Sequence, residues 1–89
     1  MPDRARSDVL TAFGAAVRAH RRDRGWSQEE FADRVGLHRT YMGDVERGER
    51  NLGLVNVRRI ADALGMPLSA LMAEAEKSDS DKPRVSGPA

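Results

Sequence analysis

Between Ser27 and Gly48, two short runs of helical apolar spacing flank a glycine, an arrangement that commits the chain to two helices joined by a tight turn. Ser27 is followed three residues later by Glu30. In that pattern each side chain closes a free backbone N–H of the other residue, so a helix starts at Gln28. Phe31, Ala32 and Val35 fall on one face while Glu29, Glu30, Asp33 and Arg34 point elsewhere, as in a helix resting half on a core. Gly36 supplies the positive φ that a helix end or tight turn needs.

The second helix begins near His38 or Arg39 and runs to Glu46 or Arg47, with Gly48 as its stop. Met42 and Val45, with Leu37 before them, form its buried stripe. Helical spacing then puts Arg39, Thr40, Gly43, Asp44 and Arg47 on one exposed face. Such groups can match base edges: Arg to guanine O6 and N7, a Thr methyl to thymine, a carboxylate to cytosine N4. Gly43 is read either as a close approach to the groove floor or as a tolerated small residue that costs about 1 kcal/mol relative to Ala. Asp44 is repelled by phosphates unless it meets a cytosine amino group or pairs with Arg; an i, i+3 pair with Arg47, or with another Arg nearby, is the expected explanation.

These residues resemble the helix-turn-helix regulators of the phage repressor and Cro type. The spacing of Ala32, Gly36, Met42 and Val45 matches that family's small residue, turn glycine and two apolar anchors. Within it, Gly36 to Asn51 is most similar to the controller proteins of restriction–modification systems, and the resemblance extends from about Phe13 to Glu76. It implies a lambda-repressor-like, all-α domain. It further implies that Gln28 holds a phosphate oxygen at the N-terminus of its helix, a place that already presents N–H groups and positive potential to an anion. An Arg at position 21 is implied to bond a Glu at position 46, fixing the angle of the reading helix. Tyr41 has two readings, a ring packed on a neighbour or, as in controller proteins, contact with the DNA backbone or groove edge. His38 either touches phosphate or ends the turn. Arg47, Arg50 and Asn51 are candidate backbone clamps.

Five helices are expected along the whole chain. The first runs from Asp8 to Arg24 with Leu10, Phe13 and Val17 inward, and the fourth from Leu54 to Leu64 with Val57, Ile60, Ala61 and Leu64 inward. The fifth spans Leu68 to Ala75, with Pro67 near its start where a missing N–H costs little. Residues 1–7 and 77–89 are expected to be unstructured tails flanking a domain at 8–76. At 89 residues the chain makes one small domain, for which stabilisation by a second copy is expected.

The fifteen basic residues are nearly balanced by fourteen acidic ones, and Ser27 to Asn51 holds four Arg against six acids. Bulk charge therefore does not announce DNA, and the placement of cations decides: Arg18, Arg21, Arg22 and Arg24 on the first helix, Arg39, Arg47 and Arg50 around the third. There is no Cys, which fits a reducing cytoplasm, and two His without ligand spacing do not suggest a metal site. No signal peptide or membrane span is expected. No cofactor, catalytic group or small-molecule pocket is expected, and the chain is not read as an enzyme. A unit this small reads few base pairs, so a homodimer is expected on a pseudo-palindromic duplex operator, with RNA polymerase as a possible further partner and the nucleoid as its place in the cytoplasm. Val57, Met66, Leu68, Leu71 and Met72 are the expected dimer interface, with closure of the monomer core as the alternative. The competing class is an antitoxin-like or scaffold module that keeps the fold without base reading.

Overall fold

Helix stops in this chain are written in glycine, and the second helix shows how. At Gly36 the backbone turns to φ 85°, and the N–H groups of Gly36 and Leu37 both return to the carbonyl of Ala32, at 2.8 and 2.9 Å. The left-handed residue closes the helix end and redirects the chain within three residues. The computed structural model describes the backbone of residues 4–81 and the side chains of 9–78. Its elements are α1 (Arg4–Asp23), α2 (Gln28–Val35), α3 (Arg39–Glu46), α4 (Leu54–Leu64) and α5 (Leu68–Asp81), with no strand among the described residues.

One core joins all five helices. Phe13 and Val17 from α1 meet Phe31, Ala32 and Val35 from α2, Met42 and Val45 from α3, Ile60, Ala61 and Leu64 from α4, and Leu71 and Ala75 from α5. α1 lies along α5 and crosses α3, and α2 packs on both α3 and α4. The α1–α3 crossing is close because residue 14 is glycine. A Cβ there would lie 2.7 Å from the Glu46 carbonyl oxygen and closer still to that of Val45. Trp26, in the turn after α1, stacks on Phe31 with ring centroids 5.8 Å apart, and the Arg34 guanidinium lies 4.3 Å from its ring centre.

Three expectations need correction. Helix α1 begins at Arg4 rather than Asp8, because Arg4, Ala5 and Arg6 are good helix formers and no breaker lies between them and the core-facing turns. Helix α5 continues to Asp81 rather than stopping near Ala75 or Glu76, since Glu76 and Lys77 favour helix and no Gly or Pro occurs before Pro83. Residues 4–7 and 77–81 of the expected tails are thus helical, and residues 1–3 and 82–89 lie outside the described residues. The third correction concerns Leu71, which is wholly enclosed within the monomer and has no surface to offer a second copy. With Ala75 one turn later it belongs to the core shared by all five helices, in a helix that packs on α1 and α4. Val57, Met66, Leu68 and Met72 are only partly buried against that core.

Candidate nucleic-acid interface

Both helices of the central pair are capped by side chains. The Ser27 hydroxyl accepts from the Glu30 N–H at 3.0 Å, and the Ser27 N–H donates to Glu30 Oε1 at 2.8 Å, completing the capping box. Those hydrogen bonds, the backbone one first, hold the Glu30 carboxyl below the usual carboxylate range. His38 occupies the N-cap of α3, where its Nδ1 accepts from the Thr40 N–H at 3.1 Å. A ring nitrogen thus takes the capping role at the start of α3.

The angle of α3 is set from below. Arg21 on α1 donates Nε to Glu46 Oε2 at 2.6 Å and Nη2 to Oε1 at 3.0 Å, a two-pronged pair, and sends Nη1 to the Trp26 carbonyl at 2.8 Å. Only 10% of the Arg21 side chain and 2% of that of Glu46 reach solvent. Gln28, at the start of α2, donates Nε2 to Glu46 Oε1 at 3.2 Å. Glu46 therefore ties α1, α2 and α3 at one point. One amide N–H of Gln28 is committed to that tie, leaving the other for an anion at the helix N-terminus.

Outward from this tie, Arg39 and Thr40 are exposed on the first turn of α3, as are Arg47, Arg50 and Asn51 at its end. Tyr41 is half-buried: its hydroxyl accepts from Asn56 Nδ2 at 3.0 Å, and the Arg50 guanidinium covers its ring at 4.8 Å. The packed-ring reading thus describes the geometry, and the phenolic proton is still free to donate. Asp44 pairs with Arg47 and Arg50, through Oδ1 and Oδ2 respectively. Arg47 also donates Nε to Glu49 at 3.0 Å, and that contact, ahead of Asp44, makes its guanidinium hold its proton more tightly than usual.

Gly43 departs from expectation. It is buried rather than open, covered by the ends of Arg47 and Gln28; a Cβ there would stand 3.2 Å from Arg47 Nη1 and 3.4 Å from Gln28 Oε1. The cause is the reach of Gln28 to Glu46 and the folding of Arg47 back toward Asp44. The cation count on α1 also changes. Arg21 is buried, and Arg24 donates Nη2 to the Leu64 carbonyl at 2.7 Å and Nη1 to that of His20 at 2.9 Å, fastening α1 to the end of α4. Arg18 and Arg22 are the exposed members of that expected set.

A family model described as helix-turn-helix matches residues 17–71. The chain belongs to the helix-turn-helix family. Among its relatives is the control protein C.MunI of a Mycoplasma species, 39% identical over 72 residues that make up 80% of this chain and 97% of the relative. Control protein C.BamHI of Bacillus amyloliquefaciens is 43% identical over 61 residues, 67% of this chain and 75% of that one. Among solved structures, the restriction-modification controller protein C.AhdI from Aeromonas hydrophila superposes with a TM-score of 0.68 at 45% identity, covering 70% of this chain and 94% of that one. The family, the similarity to controller proteins and the all-α fold, with five helices among the described residues, agree with what the sequence implied.

Sequence reasoning missed two exposed residues. Leu54 and Val55, in the first turn of α4, are 73% and 70% exposed. The signal was present, since Leu54, Val55 and Val57 put three large apolar residues in the first turn of a helix whose inner stripe needs Val57, Ile60, Ala61 and Leu64. It also missed the role of Trp26, whose only sequence cue is its place between a helix-ending glycine and the Ser27 cap.

Proposed function

We propose that this chain is a sequence-specific, double-stranded DNA-binding transcriptional regulator of the restriction–modification controller type, acting as a homodimer on a pseudo-palindromic operator. The observation that supports it most is the immobilised α3. Its outer first turn offers Arg39 and Thr40 to solvent while Glu46, at its other end, is tied to two other helices. A helix so held and so equipped can enter a major groove, with Arg39 reading guanine and the Thr40 methyl reading thymine. Asp44 can accept from a cytosine amino group once its arginines are released, and Gly43 lets Arg47 lie close to the helix. Gln28, His38, Tyr41, Arg47, Arg50 and Asn51 take the backbone, fixing register without reading sequence.

Pairing of two copies through the exposed part of α4 and the rim of α5 would set two reading helices about 34–36 Å apart, one turn of duplex. Leu54 and Val55, with Val57, Met66, Leu68 and Met72, supply the apolar surface. The regulator would repress where it blocks polymerase and activate where it touches polymerase, in the cytoplasm on the nucleoid, with its own concentration as the signal. Salt-dependent binding to duplex measured by fluorescence anisotropy tests the proposal. Arg39→Ala should lose about 1–3 kcal/mol on a preferred duplex and little on a random one, whereas equal loss on both would reduce Arg39 to a phosphate contact and remove base reading.

A further inference from the structure

Two of the proposed backbone clamps are already occupied. Arg47 places Nη2 on Asp44 Oδ1 and Nε on Glu49 Oε1. Its remaining Nη1 lies over Gly43, close enough that any side chain there would touch it. Arg50 places Nη2 on Asp44 Oδ2 and its guanidinium plane over Tyr41. Both oxygens of one carboxylate thus hold two guanidiniums, by the charge-assisted contacts that a phosphate would otherwise make. The four side chains Asp44, Arg47, Glu49 and Arg50 sum to no net charge. Arg47, Glu49 and Arg50 are exposed and Asp44 is partly so, which leaves the guanidiniums free to exchange partners from the solvent side.

We infer that Asp44, assisted by Glu49, is an internal competitor for phosphate that latches Arg47 and Arg50 in the free protein and limits binding to duplex of arbitrary sequence. Binding then proceeds by exchange: phosphate oxygens take the guanidiniums, and the freed Asp44 carboxylate is left facing the duplex. On a random duplex that carboxylate is repelled, and the exchange gains little. On a preferred duplex, contacts from Arg39 and Thr40 offset the exchange. Asp44 is therefore a specificity-determining residue even at base pairs it does not touch. The inference rests on the proposed DNA-reading role of α3.

The test uses the full chain and its Asp44→Asn and Glu49→Gln variants, titrated with a random duplex across a range of salt. Thermal melting confirms that each variant folds. Removing the Asp44 charge should steepen the slope of log K against log salt by about one unit, which amounts to about tenfold tighter binding near 0.1 M salt relative to a 1 M reference. Glu49→Gln, which takes the charge from one contact of Arg47 and leaves α3 untouched, should tighten binding by less. On a preferred duplex the gain should be smaller, so the ratio of preferred to random affinity falls. In an Arg47→Gln, Arg50→Gln background, Asp44→Asn should gain little, because nothing is left to release. An equal gain in that background would reduce Asp44 to simple repulsion and overturn the latch. Binding by the wild type with no gain in either folded variant would also overturn it while leaving DNA binding intact. If neither the wild type nor any variant binds duplex, the proposed function falls and the latch with it.

Discussion

Arg21 is the residue whose loss should separate a held reading helix from a loose one. Its guanidinium makes two bonds to Glu46 and one to the Trp26 carbonyl, and 2% of the Glu46 side chain is exposed. Arg21→Ala would leave that carboxylate buried with Gln28 Nε2 as its remaining side-chain donor in this structure, at 3.2 Å. Breaking a buried pair by removing one partner costs about 3–5 kcal/mol, out of the roughly 5–15 kcal/mol that holds a domain together. With a urea dependence of about 2 kcal/mol per molar, typical of small domains, the unfolding midpoint should fall by about 2 M. Arg21→Met combined with Glu46→Met removes both charges and keeps apolar volume, so most of the loss should be recovered. Urea unfolding followed by circular dichroism measures both, and duplex titration at a temperature where Arg21→Ala remains folded should show weakened binding. An Arg21→Ala midpoint equivalent to less than about 1 kcal/mol of loss would show that the pair does not hold α3. A double variant no more stable than the single one would do the same.

Other consequences can be checked alongside it. Gly14→Ala would push a methyl against the Val45 and Glu46 carbonyls, so the α1–α3 crossing must open; about 1–3 kcal/mol of destabilisation is expected in the same unfolding assay. Glu30 has a folded pKa below its unfolded value, so its contribution is present above the unfolded pKa and disappears as pH falls through the folded one. Glu30→Gln should accordingly flatten the acid side of the stability profile, and an unchanged profile would contradict the capping role. Leu54→Asp with Val55→Asp should shift the chain toward monomer in sedimentation without lowering its monomer stability, because neither side chain is in the core.

Legibility in the sequence followed the range of the chemistry. The Ser27 to Glu30 box, the Gly36 turn and the limits of α4 were readable because each is decided by groups a few residues apart. The Asp44 to Arg47 pair was readable for the same reason. Gly14 was not, since its meaning comes from carbonyls more than thirty positions away on α3. Gly43 presented the same difficulty: helical spacing put it on an open face, and only the reach of Gln28 from α2 and the fold-back of Arg47 cover it. Leu71 was misassigned because apolar spacing identifies a face without identifying what meets it, and here the monomer core does. Between the expected and observed limits of α1 and α5 no Gly or Pro marks a stop, so local composition did not fix where either helix ends.

Selection of bound sequences from a random duplex pool tests base reading by a paired α3 most directly. An enriched, two-fold repeated motif is expected, with half-site centres about one helical turn apart, and it should weaken when Arg39 or Thr40 is replaced. A pool that emerges without enrichment over random duplex would contradict base reading.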